Sequence, residues 1–350
     1  MFRSLRSFRT ATLLFAVLAL GLASGCVVPA PLRTPLRGVM LHSLWWESTN
    51  TDMDRELDLA AQANSNVVRV DVGWNNLESF GKGQFTSWYV TKLDRFVDGA
   101  NQRGMKVIAT LWATACWASS APDSVRQGCT GTGWWTYPPR NNQDYADIAR
   151  WMTARYGSKL AALEVWNEPN ASLFWTTPDP VGAYTALLKA AYPAAKAGNA
   201  AVPVIGASLS GSDRSFLASM YANGAKGYED GLSVHPYAED RGFPGLTALH
   251  NDMVAAGDNS PVWVTEFGWP TGSDPQWHVS EAEQATDVTN GFADLSALSW
   301  VNEATLYNLR DKGTDPNDMQ ANFGVVRRDY SPKPAYAALT AALAPSRPTG

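Results

Sequence analysis

Charged residues and histidines are scarce in this sequence, and several signatures of common chemistries are missing. Only 17% of the 350 residues are charged and four are histidine. His42, His235, His250 and His278 form no His-Glu-x-x-His pattern, and the three cysteines lack zinc-site spacing, so no metal centre is implied. No Gly-x-Gly-x-x-Gly turn follows an expected strand, which leaves a dinucleotide without support. Gly206-Ala-Ser-Leu-Ser210 does not fit the Gly-x-Ser-x-Gly elbow of a serine hydrolase. The expectation is an absence of any metal or organic cofactor. No linker rich in proline, glycine or serine divides residues 37–344, which favours one domain there. Hydrophobic residues are plentiful at 45%, so a large core is expected rather than disorder.

At the N-terminus, Arg3, Arg6 and Arg9 precede an apolar run from Leu13 to Leu22 that is short for a membrane span. This is the order of a secretory signal, so residues 1–25 are set apart from the fold. Ala23-Ser-Gly-Cys26 resembles a bacterial lipoprotein processing box, although Ala23 stands where leucine is usual. The resemblance implies cleavage before Cys26 and a lipid on it; ordinary cleavage or a spare thiol are the alternatives. Either way the chain is expected to be exported, to the cell envelope or beyond, with residues 26–36 as a short linker and 345–350 as a tail. Cys116 and Cys129 flank a segment rich in small and polar residues. In an exported protein they suit a disulfide, worth about 2–4 kcal/mol, although two buried free thiols would also fit. Without the leader the formal charge moves from −5 to −8, since three arginines and no acids are removed. Nucleic acid is thus an unexpected partner. The chain is expected to act as a monomer, with the membrane met only through Cys26.

Apolar, β-rich runs recur at Gly38–His42, Asn66–Val72, Lys106–Trp112, Ala162–Asn167, Pro203–Ala207, Leu232–Tyr237, Val262–Phe267 and Ala304–Leu309. Between them lie segments with apolar residues three and four apart, such as Val90–Arg103, Asn142–Tyr156 and Glu281–Leu298, and Ser331–Leu343 follows the last run. Strand and helix alternate eight times. That predicts an α/β fold, a single (β/α)8 TIM barrel over residues 37–344, with an open doubly wound sheet as runner-up.

Active sites of such barrels sit at the carboxyl ends of the strands. There the fourth run ends in Trp166-Asn-Glu168-Pro-Asn170 and the seventh in Thr265-Glu266-Phe-Gly-Trp-Pro-Thr271. Two-residue alternation puts Glu164, Trp166 and Glu168 on one side of the strand, with Glu164 too deep to meet a large substrate. Glu168 and Glu266 then face each other across a barrel mouth. Two carboxyl groups so placed can cleave a glycosidic bond, with retention at separations of about 5–5.5 Å and inversion at about 6.5–9.5 Å. The acid must hold a proton, whereas the nucleophile needs hydrogen-bond donors and positive charge to stay ionised. Arg69 on the second strand can supply that charge; its alternative is a structural pair with Asp71 or Glu164.

The two motifs, at those strand positions, resemble the retaining glycoside hydrolases of clan A, most nearly the family 39 and family 5 type of bacterial endoglycosidase. The resemblance runs from about Arg37 to Leu343. It implies that Glu168 is the general acid/base, Glu266 the nucleophile, Arg69 its electrostatic partner and Asn167 the reader of the sugar 2-hydroxyl. It also implies that His235 and Tyr237 orient the nucleophile and touch substrate, with His42 and Tyr307 as further candidates. The expected partner is a poly- or oligosaccharide, cleaved by double displacement and from within the chain. A glycan-binding lipoprotein whose catalysis has lapsed, and a transglycosylase, would use the same residues.

Tryptophan is abundant, with 15 residues, and many fall in expected loops after strands. Sugar rings stack their C–H faces on aromatic rings, so these loops suit a carbohydrate cleft. Trp74, Trp175 and Trp269 lead by position, ahead of Trp45, Trp46, Trp112 and Trp277. The Cys116–Cys129 loop is long enough to wall one end of such a cleft.

Overall fold

The computed structural model describes residues 35–44, 48–273 and 278–345. Cys26 and the leader, Trp45, Trp46 and Trp277 lie outside the described residues. Eight parallel strands close in chain order into a barrel: β1 (Leu36–Leu41), β2 (Val67–Gly73), β3 (Lys106–Trp112), β4 (Leu160–Val165), β5 (Val204–Ser210), β6 (Gly231–His235), β7 (Val262–Phe267) and β8 (Val301–Leu306). The helices are α1 (Asn50–Gln62), the short α2 (Trp74–Leu77), α3 (Ser87–Gln102), the short α4 (Asp123–Arg126), α5 (Asn142–Tyr156), α6 (Pro180–Gly198), α7 (Arg214–Ala222), α8 (Pro244–Ala255), α9 (Glu281–Ala297) and α10 (Pro334–Ala342). The expected (β/α)8 TIM barrel is the observed fold. No helix among the described residues is long and apolar enough to cross a membrane.

Local chemistry starts the helices where the chain needs them. Thr49 with Asp52, and Ser280 with Glu283, form reciprocal capping boxes at α1 and α9, and Pro180 opens α6 behind the capping Asp179. Along β2 the side chains of Val68, Val70 and Val72 face the helices and join the main core, whereas Val67 and Arg69 point into the barrel. Inside, at the floor, Val67, Ile108, Ala162, Ile205 and Trp263 pack together, with the buried Glu303 in register beside Trp263. One layer up the interior turns polar, with Arg69, Thr110, Glu164 and Thr265 all fully buried.

Strand alternation fails at several places, two of them at the glutamates. β4 ends at Val165, and Trp166 and Glu168 both adopt left-handed backbone, with φ of 73° and 46°. Trp166 therefore leaves the inward face and packs in the outer core, while Asn167 turns inward in its place. Such backbone in a non-glycine residue costs on the order of 1–3 kcal/mol, and it clusters at working sites. In β7 the pairing with β8 slips between Val264 and Phe267, so Thr265 and Glu266 both reach the barrel mouth and Phe267 returns to the outer core. Bulges of this kind re-aim a side chain beside an active site.

Glu229, just before β6, is buried behind the barrel wall, and neither of its oxygens has a hydrogen-bond partner among the described residues. Burial, helped by Asp258 and Asp230, pushes its pKa up to about 8. The unfolded chain would ionise this group near pH 4.3, so its contribution to stability is full below that value and falls away as pH rises to about 8. Between those limits the group lowers stability by up to roughly 1.4 kcal/mol per pH unit. Denaturant titrations of Glu229→Gln are expected to show a shallower fall in stability over that range. An unchanged slope would mean that Glu229 is not the responsible acid.

Candidate active site

Glu266 is anchored from two sides. Arg69 of β2 donates through Nη1 to Glu266 Oε1, and the Tyr237 hydroxyl donates to Oε2 at 2.7 Å. The same guanidinium donates through Nε to Glu164 Oε2 at 2.7 Å and through Nη2 to Asn167 Oδ1 at 3.0 Å. One arginine thus ties together three strands. Arg69 performs both tasks foreseen for it, the structural pair with Glu164 and the charge beside Glu266; it does not hydrogen-bond Asp71. Glu164 also accepts from Thr110 and Thr265, at 2.6 and 2.8 Å. Burial opposes its charge, but Arg69, His235 and these hydroxyls outweigh burial and hold its pKa down to about 2.

Glu168 lies across the mouth and pairs with His235, whose Nδ1 is 2.8 Å from Glu168 Oε1. Nε2 of the same ring is 3.1 Å from Thr265 Oγ1. The His235 pKa is raised: burial works against the cation, and the carboxylates of Glu266 and Glu168 more than offset it. His235 reaches Glu168 before Glu266, which is 3.8 Å away, so its main partner is the glutamate that the sequence left without one. One oxygen each of Glu168 and Glu266 and one His235 nitrogen all lie within 4.8 Å of one another. That trio could bring three ligand atoms to a metal ion, but Arg69 already brings positive charge to Glu266, and a divalent cation would meet it at close range.

Above these residues opens a cavity of about 1220 Å³, larger than the 300–1,000 Å³ common for small-ligand sites. Asn167, Glu168, Tyr237, Glu266, Trp269, His42 and Tyr307 line it, as the sequence led one to expect. Three expected sugar contacts do not: His235 is fully buried beneath the mouth, and Trp74 and Trp175 fold away from it. Trp74 is fully buried, its N–H on Glu78 and its ring edge-on to Trp117 and Tyr145, because the chain turns into α2 at the end of β2 and tucks the indole beneath the loops. Trp175 is 2% exposed, wedged 4.6 Å from Trp166 with its N–H on the Pro180 carbonyl. The loop after Pro169 folds back, so Leu173 and Phe174 meet the cleft where Trp175 was expected. Cys116 and Cys129 do form a disulfide, but no residue between them lines the cavity, so this loop does not wall it.

Trp112, a lesser candidate among the tryptophans, lines the cavity as well. Further lining residues escaped the sequence: Asp71 and Lys312 reach the cavity, as do Gln320 and Phe323. Asp71 was legible as a lining residue, since it stands two residues beyond Arg69 on the same strand face. Nothing in the segment after β8 marks Lys312 or Gln320.

An eight-stranded barrel with two glutamates at the mouths of β4 and β7, held by an arginine, a histidine and a tyrosine, is the construction of a barrel glycoside hydrolase. The family model described as "Cellulase (glycosyl hydrolase family 5)" matches residues 27–305, and the chain belongs to that family. Similar solved structures include a family 39 glycoside hydrolase from Bacteroides cellulosilyticus WH2, with TM-score 0.67, 21% identity and coverage of 88% of this chain and 63% of that one. Another is an exo-beta-1,4-mannosidase from Opitutaceae bacterium strain TAV5, with TM-score 0.63, 16% identity and coverage of 89% and 59%. A third is the GH5_18 enzyme of Streptomyces cattleya solved with GlcNAc, with TM-score 0.66, 20% identity and coverage of 89% and 80%. At these identities the likeness is one of fold. This chain spans about three fifths of the length of the first two. A search of curated protein sequences finds no match.

Proposed function

We propose that this hydrolase is a retaining enzyme that cleaves a poly- or oligosaccharide within the chain by double displacement. Glu266 attacks the anomeric carbon while Glu168 protonates the leaving oxygen, and Glu168 then draws a proton from the water that releases the sugar. The observation that carries this reading is the separation of the two carboxylates, with oxygens within 4.8 Å. Oxygens that approach this closely support the short-separation, retaining class over the wider inverting one. The surroundings divide the roles. Glu266 accepts hydrogen bonds on both oxygens, from Arg69 and from Tyr237, whereas Glu168 has His235 as its neighbour.

Action within the chain is supported by the size of the cavity and by apolar side chains from separate loops, Trp112, Phe174, Trp269 and Phe323, that can underlie several rings. Asn167, held by Arg69 through its oxygen, keeps its amide N–H free of that contact for the sugar 2-hydroxyl. The leader sequence extends the proposal to an exported enzyme anchored by a lipid on Cys26. The test is a panel of purified polysaccharides assayed for new reducing ends, with Glu266→Ala as control. A ladder of oligosaccharides from at least one polymer, absent with the variant, is the expected result. Single sugars alone would instead indicate attack at chain ends, and release unaffected by the variant would refute the assignment.

A further inference from the structure

One corner of the cavity is not used by the catalytic pair. Asp71 of β2, His42 just beyond β1, and Tyr307 and Lys312 beyond β8 line it together. Oδ1 of Asp71 is shut from solvent without a hydrogen-bond partner among the described residues, and so is Nε2 of His42. A buried polar atom left unpaired is unfavourable, and at a cavity wall it is poised for a partner that arrives with a ligand. Lys312 donates to the Tyr307 hydroxyl and lies 5.0 Å from that ring's centroid, and His42 meets the same ring edge-on at 5.4 Å. Donor, acceptor and imidazole thus converge around one tyrosine. Burial, with Lys312 and Arg69, keeps His42 uncharged.

The barrel order assigns this corner a side. Glu168 serves the leaving group, and Leu173 and Phe174 follow it after β4; β8, β1 and β2 stand together on the opposite arc of the ring. The corner therefore belongs to the sugar whose anomeric carbon is attacked, or to the ring beyond it. Sugar hydroxyls donate and accept at once, so neighbouring ones can give a hydrogen to Asp71 and take one from Lys312. A sugar carboxylate would face both Asp71 and Glu266 and fits less well. We propose that Asp71, with His42 and Lys312, forms a glycone subsite that reads a pair of adjacent hydroxyls on a neutral sugar.

The inference rests on the glycosidase reading, so the test keeps the two apart. Calorimetry on Glu266→Gln measures binding of cello-, xylo- and manno-oligosaccharides, with and without Asp71→Ala. The oligosaccharide bound best is expected to bind roughly 10- to 100-fold more weakly once Asp71 is gone. Turnover of the matching dinitrophenyl glycoside by Asp71→Ala should fall by a similar factor. That loss should vanish on one deoxy analogue, the one lacking the hydroxyl read by Asp71. Equal losses on the parent and on every deoxy analogue would mark Asp71 as structural and overturn the subsite. Unchanged binding, or no binding by any of the three series, would overturn it too. Sugar binding that depends on Asp71 in a protein that cleaves nothing would refute hydrolysis and leave the subsite standing.

Discussion

Glu266→Ala is expected to lower turnover by on the order of 10⁵-fold while leaving the fold intact. Arg69 and Tyr237 both point at the carboxylate removed, and among the described residues no other acid hydrogen-bonds both of them: Glu168 faces His235, Asp71 lines another corner of the cavity, and Glu164 lies a layer below with its oxygens taken by Arg69, Thr110 and Thr265. The vacated site keeps its positive charge, so azide should enter it and restore cleavage of an activated glycoside with the opposite anomeric outcome. Glu168→Ala is expected to behave differently. Its loss, roughly 10²–10⁴-fold, should appear on substrates whose leaving group needs a proton and nearly disappear on dinitrophenyl glycosides. A Glu266→Ala enzyme within tenfold of the parent would reject the assignment, as would a Glu168→Ala enzyme equally slow on every leaving group.

Arg69→Met is expected to cost more stability than any other single change in the barrel interior. Removing one partner of a buried ion pair costs about 3–5 kcal/mol, because the remaining charge is stranded. Here two carboxylates are stranded, Glu164 fully buried and Glu266 nearly so. An unfolding midpoint lowered by roughly 5–10 °C follows for a domain of this size. Turnover should fall as well, since Glu266 loses its charged hydrogen-bond partner and Asn167 loses its anchor. Should Arg69→Met fail to fold, Glu164→Gln answers the same question. It leaves Arg69 facing Glu266 alone, so stability should drop while turnover per folded molecule changes much less. Calorimetric melting beside kcat on both variants checks this. If Glu164→Gln lost activity without losing stability, Glu164 would belong to the chemistry rather than to the support beneath it.

How much of this was legible depended on whether strand alternation held. All eight strands, the barrel and both rim glutamates follow from apolar runs separated by helical spacing, and the pair of Arg69 with Glu164 stood among the alternatives for that arginine. Alternation alone would have kept Trp166 inward and turned Glu266 away beside an inward Thr265. The left-handed turn at Trp166 and the slip in β7 reverse both, and neither has a glycine or proline inside the strand to announce it. The fate of the tryptophans was hidden for another reason. Whether an indole in a loop meets sugar or core depends on the path of that loop: Trp269 lines the cavity, whereas Trp74 and Trp175 fold under and bond to the protein. Lys312 and Gln320 come from a segment without periodicity, so only its folded course brings them to the site.

The central claim, that Glu266 forms a covalent bond to the sugar, is tested most directly by trapping that bond. A 2-deoxy-2-fluoro glycoside with a dinitrophenyl leaving group slows release of the sugar, and mass spectrometry of the digested protein then locates it. One fluoroglycosyl unit on the peptide that carries Glu266, and none in Glu266→Ala, is the expected result. A label on Glu168, or turnover to a product of inverted configuration with no label, would contradict it.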